Sequence, residues 1–457
     1  MFDENPDDIS GINEEYAKEA SGEYLADYLD DIAGSLGYAI EPQYMWRTIV
    51  DEVNNNTITP DTFQNMFESF DNNLRLNSKA TQDFTGVFDD MNLNNSRLGN
   101  TTAARAKALT QIIDLVDQVD YQDDNGKDIL AEIYEFLIAK FAENSGKKAG
   151  EFYTPHRVSE VLAKLATVSF DQSISKPSVY DFACGSGSLL LTVQKEIKNK
   201  ILYYGQELNT TTYNLARMNL LMNDVSYDRM TLKNADTLEQ DWPDGVDAQG
   251  IDHPRNFDVV VANPPYSQRW DNSDRKLKDP RFKDYGLAPK TKADYAFLLH
   301  GLYHLDQNGT MAIVLPHGVL FRGAKEGKIR EALLKKNQID AIIGMPAGLF
   351  YSTGIPTVIL VLKKNKANKD VLFIDASKGF EKGKNQNVLR DEDIDKIINT
   401  YKERKDVERY AHVASFDEIK ENDFNLNIPR YVDTFVPEPP VDLKKVAADL
   451  HETNIEI

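Results

Sequence analysis

The sequence predicts an α/β fold in which a mainly parallel sheet, with helices on both faces, follows an α-helical region. Two observations support this prediction. From about residue 150 onward, short apolar segments alternate with helical segments, an order typical of parallel strands joined by crossover helices. A glycine turn follows one of these apolar segments and a proline turn follows another. Such turns are expected at the carboxyl edge of the sheet, where open α/β folds bind ligands.

The region before residue 147 is acidic and is predicted to be helical. Apolar residues recur at helical spacing in residues 103–119 and 129–141, which indicates two amphipathic helices. The sequence Asn-Ser-Gly at residues 144–146 is typical of a helix end. We therefore expect a helical amino-terminal domain over residues 1–146.

Short apolar segments bounded by polar residues predict the strands of the sheet. These segments are residues 179–182, 201–205, 257–261, 311–315, 341–345, 358–362 and 371–374. The last stretch, residues 432–457, is rich in proline and then helical, with Val441, Val446 and Leu450 on one apolar stripe. We expect this stretch to form a carboxyl-terminal helical tail.

Residues 180–190 run from a predicted strand through a glycine turn into a helix. Gly185 and Gly187 permit backbone torsions and a close ligand approach that other residues resist. Glu207 lies 22 residues beyond Gly185, just past the next strand, where an acid can accept both hydroxyls of a ribose. The six-position dinucleotide fingerprint is incomplete, because Leu190 stands at its last glycine position. This departure disfavours NAD and leaves another adenosine cofactor open.

A third strand end is predicted at residues 234–236, Asn-Ala-Asp. Asp236 has two interpretations there, and the sequence leaves both open. Its carboxylate can accept a hydrogen bond from an adenine amino group, or it can cap a helix that begins before Leu238. Only the first interpretation makes Asp236 part of a cofactor site.

Residues 263–266, Asn-Pro-Pro-Tyr, follow the predicted strand 257–261. The two prolines cannot continue a strand ladder, so the chain must leave the sheet there as a stiff loop. The loop presents the amide of Asn263, the carbonyl of Pro264 and the aromatic face of Tyr266. These groups suit the exocyclic amino group of a planar ring, although a plain Pro-Pro turn explains the residues equally well when they are taken alone.

Composition limits the kinds of protein that this chain can be. No apolar run approaches the roughly 18 residues of a membrane span, and the acidic start is unlike a signal peptide. We therefore expect a cytoplasmic protein without membrane contact. The single cysteine, Cys184, excludes an internal disulfide and a cysteine-cluster metal site, and we expect no metal. The net charge of −21 is unusual for a protein that grips DNA unaided, but residues 275–292 hold seven Lys/Arg against two Asp.

Taken together, these motifs resemble those of S-adenosylmethionine-dependent DNA adenine-N6 methyltransferases. More narrowly, the chain resembles the modification subunit of Type I restriction-modification systems. The matching segments occur in the family's order, and they are residues 150–155, 181–190, 205–207, 234–236, 263–266, 294–297, 315–318, 349–357 and 427–431. Two residues depart from the family pattern, Phe182 in place of proline and Ser188 in place of glycine, and both changes keep the turn glycines. The apolar helical segment with which such subunits usually begin also has no counterpart, which predicts a shortened amino-terminal part.

The resemblance implies a Rossmann-like methyltransferase domain over residues 147–431 and S-adenosylmethionine as cofactor. It also implies the site residues. The expected catalytic residues are Asn263, Pro264, Pro265 and Tyr266. The expected cofactor-binding residues are Glu151, Tyr153, Thr154, Asp181, Gly185, Ser186, Gly187, Glu207, Asp236 and Asn263. Asp294 and Phe297 resemble the family's residues near the adenine of the cofactor.

The chemistry of such a site follows from the target nitrogen of adenine, whose lone pair is delocalised into the ring. Two acceptors aimed at its hydrogens, the Asn263 side-chain oxygen and the Pro264 carbonyl, stabilise the charge that develops on attack. A base in a duplex must be flipped out to reach them, and Tyr266 offers a face for stacking. Phe350 or Tyr351 offers a second face, or is an ordinary core aromatic.

The resemblance implies DNA, a separate specificity subunit and a second copy of this chain as partners, and it leaves open whether a restriction (nuclease or translocase) subunit joins. The net charge of −21 fits a protein docked on a basic partner that holds the DNA, and residues 432–457 are expected to contact another subunit. Two alternatives are a methyltransferase acting on a glutamine amide in protein, and a non-catalytic assembly subunit that retains the fold.

Overall fold

The structure is a computed structural model, and it describes residues 22, 24–122, 129–144, 154–241, 255–350, 354–384, 386–435 and 446. Two expected site residues, Glu151 and Tyr153, lie outside the described residues, and so does Tyr351. The predicted tail at residues 432–457 also lies outside them, apart from residues 432–435 and Val446.

Helices make up most of the described chain before residue 145. They are α1 (Tyr24–Leu36), α2 (Trp46–Asn54), α3 (Pro60–Asn73), α4 (Thr81–Phe84), α5 (Thr102–Asp117) and α6 (Leu130–Asn144). Helix α5 begins at a cap in which the Thr101 side chain accepts a hydrogen bond from the Ala104 N–H. Helices α5 and α6 confirm the two helices predicted within residues 103–119 and 129–141.

The apolar faces predicted for α5 and α6 are not the buried ones. Ile113 of α5 and Ile138 of α6 are buried. The predicted apolar positions are largely exposed, and these side chains are Ile112, Leu115, Val116, Val119, Phe136, Leu137 and Phe141. Several large apolar side chains are therefore exposed on each of these two helices.

From residue 178 onward, the described chain builds one nine-stranded sheet and a small hairpin. The strands are β1 (Ser178–Asp181), β2 (Leu202–Glu207), β3 (Met230–Asn234), β4 (Phe257–Ala262), β5 (Leu305–Pro316), β6 (Ile339–Gly344), β7 (Thr357–Lys363), β8 (Val371–Asp375), β9 (Glu381–Lys382), β10 (Asn387–Val388) and β11 (Ala411–Ala414). The sheet has the order β11-β8-β6-β7-β5-β4-β1-β2-β3, and β9 pairs with β10. Every predicted strand is present, and β9, β10 and β11 are additions that the sequence did not indicate.

The expectation of a mainly parallel sheet is confirmed. The pairs β1–β2, β2–β3, β1–β4, β4–β5 and β6–β8 are parallel. Strand β7 lies antiparallel between β5 and β6, and β11 is antiparallel to β8.

The remaining helices cover both faces of this sheet. They are α7 (His156–Thr167), α8 (Ser188–Gln194), α9 (Thr210–Met222), α10 (Asp294–Tyr303), α11 (Ala324–Lys335), α12 (Asp391–Glu403) and α13 (Phe416–Glu421). Alternate residues of β4 face opposite sides, since Val259 and Val261 pack in the core with α7, α8, α9 and α12, whereas Val260 packs in the core with α10 and α11. All three valines are fully buried, as expected for a strand covered on both faces.

Helix α9 fastens the helical region to the sheet. Its buried Arg217 donates to the carbonyl oxygens of Asp83 and Thr85 at 3.1 and 2.8 Å. Its Asn214 donates through Nδ2 to the Asp90 carboxylate at 3.0 Å. None of the helices over the described residues is long and apolar enough to cross a membrane.

The strand order places a reversal point at the centre of the sheet. From β1 the chain moves outward to β2 and β3, and it then returns to β4 on the other side of β1. The connections on the two sides of β1 therefore diverge and leave a crevice at the carboxyl ends of β1 and β4. The glycine turn follows β1 and the Asn-Pro-Pro-Tyr segment follows β4, so both expected halves of the site meet at this edge.

Candidate active site

The loop after β1 has the shape that its glycines allow. Gly185 and Gly187 have φ angles of 55° and 78°, in the left-handed region that other residues rarely adopt. The Gly187 N–H donates to the Cys184 carbonyl at 2.8 Å, and α8 starts at the next residue. Nδ2 of Asn219 donates to the Ser186 carbonyl at 2.9 Å, which fixes the middle of the turn. Cys184 is buried in this turn, where it packs as a small apolar residue.

Glu207 stands at the end of β2 and holds this loop. Its Oε2 accepts the Gly185 N–H at 3.1 Å, and its Oε1 accepts the Asn209 N–H at 2.8 Å. Burial raises the pKa of the Glu207 carboxyl, and these backbone N–H groups oppose that shift. Each carboxylate oxygen has a further lone pair, so both oxygens can still accept ribose hydroxyls.

Asp181, the last residue of β1, is 2% exposed and accepts the Ala183 N–H at 3.0 Å. Burial raises the pKa of its carboxyl to about 8, and the neighbouring Glu207 adds to the rise. Over the described residues, neither Asp181 nor Glu207 forms an ion pair with a basic side chain. One buried and one partly exposed acid, with no basic side chain paired to either over the described residues, suit a ligand that carries hydroxyls and positive charge. S-adenosylmethionine has a ribose, an ammonium group and a sulfonium group, and these residues fit it.

Asp236 follows β3 and forms a turn. Its Oδ1 accepts the Leu238 N–H at 2.9 Å. The capping interpretation required a helix. Residues 235–241 form no helix, so that interpretation is wrong. The Asp236 side chain is partly exposed at the same sheet edge as Glu207, since the Ala235 N–H donates to the Glu207 carbonyl.

The loop after β4 presents Asn263, whose side chain is held at both ends. Asn263 is 7% exposed. Its Nδ2 donates to Oγ1 of Thr154 at 3.1 Å, and its Oδ1 accepts the Tyr266 hydroxyl at 2.7 Å. Pro264 is buried, and Pro265 is half-buried. The structure therefore brings Thr154, Asn263 and Tyr266 together, although 109 residues separate the first two.

Tyr266 packs edge to face against Phe350, with ring centroids 6.0 Å apart and an interplanar angle of 88°. Phe350 is buried, so it supports the Tyr266 ring as a core aromatic. Burial raises the pKa of Tyr266 well above its ordinary value, so its hydroxyl stays protonated and donates to Asn263 at neutral pH.

Asp294, at the start of α10, anchors the end of this loop. Ser267 has a φ of 54°, and its N–H donates to Oδ1 of Asp294 at 2.8 Å. Arg322 pairs with Asp294 at 3.1 Å and with Glu326 at 2.9 Å. The sequence associated Asp294 with the cofactor adenine, whereas its described contacts join it to the residue after Tyr266. Arg322 and Glu326 were not predicted, and no motif marks them.

A buried polar network lies behind the glycine loop and was not predicted. The potential metal-binding atoms of Asp241, His300 and His304 lie within 4.8 Å of one another. Nη1 of Arg281 lies 3.0 Å from Nδ1 of His300 and 3.9 Å from the Asp241 carboxylate. A guanidinium already occupies the place of a cation there, so we interpret the group as a hydrogen-bond network.

The same network connects to β1 and β2. The Tyr180 hydroxyl donates to Oε1 of Gln206 and lies 2.8 Å from Nε2 of His300. Burial, His304 and Arg281 hold the pKa of His300 well below its ordinary value, so the ring is neutral and its Nε2 donates to Tyr180. The network thus fixes the residues that precede Asp181 and Glu207.

The predicted basic segment, residues 275–292, is only partly available to an external partner. Lys276 and Arg281 are buried, and Arg275 pairs with Asp271 at 2.7 Å. The exposed basic side chains of the segment are Arg275, Lys278, Lys283 and Lys290. The number of Lys and Arg residues in this segment overestimated its free positive charge, because a count cannot distinguish side chains in internal ion pairs from those at the surface.

Comparison with known proteins gives related chains over most of this length. The family model described as N-6 DNA methylase matches residues 125–438. The Type I restriction enzyme MpnII methylase subunit of Mycoplasma pneumoniae is 38% identical over 442 residues, covering 93% of this chain and 80% of that protein. The Type I restriction enzyme MjaVII methylase subunit of Methanocaldococcus jannaschii is 31% identical over 363 residues, covering 75% of this chain and 59% of that protein.

A solved structure has the same fold. The type I restriction-modification system methyltransferase subunit of Streptococcus thermophilus is 45% identical, with a TM-score of 0.84. The match covers 92% of this chain and 86% of that one. The similarity therefore includes most of the described helical region as well as the sheet.

Proposed function

The chain belongs to the N-6 DNA methylase family, and we propose that it transfers a methyl group from S-adenosylmethionine to N6 of an adenine flipped out of duplex DNA. The proposal depends most on one observation. Asn263, buried and held at both ends of its amide, follows β4, the strand next to β1. Asp181 ends β1 and Glu207 ends β2, and over the described residues neither acid forms an ion pair.

The cofactor half of the proposed site consists of the glycine loop and the acids around it. S-adenosylmethionine supplies a methyl group activated by a sulfonium centre. In our proposal, Gly185, Ser186 and Gly187 allow its close approach, and Glu207 accepts its ribose hydroxyls. The positive charge of the bound cofactor would favour the ionised form of Asp181, which then balances that charge. Asp236 accepts a hydrogen bond from its adenine amino group. By resemblance, Glu151, Tyr153 and Thr154 complete this half.

The base half consists of residues 263–266. Oδ1 of Asn263 and the Pro264 carbonyl accept the two hydrogens of the target amino group, and Pro265 stiffens the loop. The Tyr266 ring stacks on the flipped base. In the described structure the Tyr266 hydroxyl donates to Oδ1 of Asn263, and this oxygen has a second lone pair for the base. Most of the rate then comes from positioning and from acceptors placed where charge develops.

We also propose a division of labour between subunits. The relatives are named as methylase subunits, and this chain carries a charge of −21 with few free basic side chains near the site. A separate specificity subunit would therefore read the sequence and supply basic surface, with a second copy of this chain on its other side. The compartment would be the cytoplasm.

The chain itself is proposed to have three parts. Residues 1–146 form a helical domain, and the exposed apolar side chains of α5 and α6 give it a surface for another subunit. Residues 147–431 form the methyltransferase domain. Residues 432–457 form a tail for subunit contact, and Val446 there is half exposed.

Labelled methyl transfer tests this proposal. The full chain would be incubated with labelled S-adenosylmethionine and unmethylated plasmid DNA, with and without its specificity subunit. We expect label in N6-methyladenine and dependence on the specificity subunit. A glutamine-containing peptide serves as the alternative substrate. Label in the peptide but not in DNA would contradict the proposal, and label in neither would indicate a non-catalytic subunit.

A further inference from the structure

We propose that the β9–β10 hairpin, residues 381–384 and 386–388, contacts the phosphate backbone of DNA beside the flipped adenine. This inference rests on the proposed function, in which the target base enters the crevice at Asn263. It adds a second basic element to the exposed lysines of residues 275–292. The observations behind it are the charge of the hairpin and its attachment beside the loop after β4.

The hairpin is basic in an acidic protein. Residues 376–390 contain four Lys/Arg and one acid, Glu381, whereas the whole chain has a net charge of −21. Lys382 and Lys384 are exposed, and over the described residues neither forms an ion pair. Arg390 is paired with two acids that follow it in the chain, at 2.6 and 2.8 Å. The hairpin therefore carries two lysines with which no described acid pairs.

The hairpin lies at the same edge of the sheet as the proposed site. Strand β8 is parallel to β6, and β6 runs in the same direction as β4 because the antiparallel β7 lies between β6 and β5. The chain therefore leaves β8 at the edge where Asn263 follows β4. The hairpin begins at Glu381, soon after β8 ends at Asp375.

Asn387 fastens the hairpin to the loop that follows β6. Its backbone N–H donates to the Gly348 carbonyl at 2.8 Å, and its Nδ2 donates to the Ala347 carbonyl at 2.7 Å. Phe350, two residues beyond Gly348, packs edge to face on Tyr266. The hairpin and the proposed stacking residue are thus attached to the two ends of one four-residue segment, which spans at most about 14 Å.

Helix α7, which begins two residues after Thr154, supports the hairpin from a second side. Nε of Arg157 donates to the Leu389 carbonyl at 2.9 Å, and Leu389 directly follows β10. Thr154 itself contacts Asn263. Contacts on two sides therefore hold the hairpin beside the residues that receive the flipped base.

DNA phosphate is the partner that this position and charge fit. A flipped nucleotide stays joined to its strand, and successive phosphates of a strand lie about 3.4 Å apart along the helix axis, so phosphates must pass close to Asn263. A lysine ammonium binds phosphate as a point charge. Because the chain as a whole is strongly acidic, a duplex is repelled from most of its surface and can approach best at unpaired lysines. An acidic protein segment at the same place would occupy the edge that the duplex needs.

The experiment compares the double variant Lys382→Gln/Lys384→Gln with wild type, each as the full chain with its specificity subunit. Binding to a fluorescent duplex that the wild-type complex methylates would be measured by anisotropy at several salt concentrations. Loss of two phosphate contacts should reduce the slope of log Kd against log salt by about 1.8 and raise Kd by about tenfold or more at about 50 mM salt. The kcat at saturating DNA and the Kd of S-adenosylmethionine should stay within about twofold, because these contacts hold substrate and transition state equally.

Lys198→Gln/Lys200→Gln is the matched control. These two lysines have the same spacing, are exposed and precede β2, at the opposite edge of the sheet. This variant should bind DNA as wild type does. Lys382→Arg/Lys384→Arg keeps both charges, so its Kd for DNA should stay within about threefold of wild type. The loss in the glutamine variant should be equal on duplexes with and without the target, since phosphate contacts carry no sequence information.

Three outcomes would overturn the inference. They are an unchanged Kd and salt slope in Lys382→Gln/Lys384→Gln, an equal loss in the control pair, and loss of assembly with the specificity subunit in size-exclusion chromatography. The last would identify the hairpin as a protein contact. Failure of the proposed function gives a different result, because the wild-type complex would then not methylate adenine, whatever the hairpin variants bind.

Discussion

The two loops at the carboxyl edge of the sheet are held in different ways. The loop after β1 is shaped largely by its own backbone, through two left-handed glycines. Two side chains from β2 and α9 support it, because Glu207 accepts the Gly185 N–H and Asn219 donates to the Ser186 carbonyl. The loop after β4 is held by side chains from distant parts of the chain, with Thr154 on one side and Asp294 on the other. The first arrangement leaves acidic groups for a ligand, and the second presents one oriented amide.

This difference predicts which constant each substitution changes. A substitution in the first loop should mainly alter the affinity for cofactor. A substitution in the second should mainly alter the rate of transfer, because its groups interact most strongly with the transition state. Four variants test this separation, in order of expected effect.

Asn263→Ala should have the largest effect. It removes the oriented acceptor, so kcat should fall by about a hundred- to a thousandfold, the loss seen when a preorganised charge-stabilising group is removed. The dissociation constant of S-adenosylmethionine should stay within about twofold. Single-turnover methyl transfer and calorimetry measure the two quantities. Activity close to wild type in the complete complex would remove Asn263 from the acceptor role.

Glu207→Ala should show the opposite pattern. It removes the carboxylate that accepts the Gly185 and Asn209 N–H groups and that is proposed to accept the ribose hydroxyls. Loss of charge-assisted hydrogen bonds worth about 1.5–3 kcal/mol should weaken cofactor binding by roughly ten- to a hundredfold. Calorimetry measures this affinity, and Glu196→Ala, which alters an acid paired with Lys164, is the control. Unchanged affinity in Glu207→Ala would exclude the ribose role.

The Tyr266 variants separate its ring from its hydroxyl. Tyr266→Ala should lower kcat/KM for DNA by about tenfold, because base stacking on an aromatic ring contributes about 1–3 kcal/mol. Tyr266→Phe keeps the ring and frees Oδ1 of Asn263, so it should stay within about threefold of wild type. Steady-state methylation at varied DNA concentration measures both. Equal losses in the two variants would mean that the hydroxyl, not the ring, matters.

Asp181→Asn should have the smallest effect, and it concerns stability without cofactor. Because burial raises the pKa of this carboxyl from 3.8 to about 8, the folded protein keeps it neutral while the unfolded chain ionises it. Wild type should lose stability as pH rises from about 4 to 8, and the loss should level off above about 8. The variant lacks this loss, so its Tm should exceed that of wild type by a few degrees at pH 8 and by less at pH 5. Thermal unfolding followed by circular dichroism measures the difference, and a constant difference across pH would contradict the raised pKa.

The glycine loop and the Asn-Pro-Pro-Tyr segment were predictable because their information is local. Left-handed torsions at Gly185 and Gly187 require glycine, and two prolines must end a strand. The apolar segments likewise predicted the strands of the sheet, since period and length are properties of each segment alone.

The sequence by itself determined the elements, their order along the chain and the two motifs at the sheet edge. Only the tertiary structure decided that β7 lies antiparallel between β5 and β6, and which face of α5 is buried. It also decided which Lys and Arg side chains of residues 275–292 are paired or buried within the protein. It also decided that Thr154 contacts Asn263 and that Asp294 anchors Ser267. The physical reason is that torsional preference and apolar period act over a few residues, whereas these contacts depend on how packed helices and strands bring distant side chains within hydrogen-bonding distance.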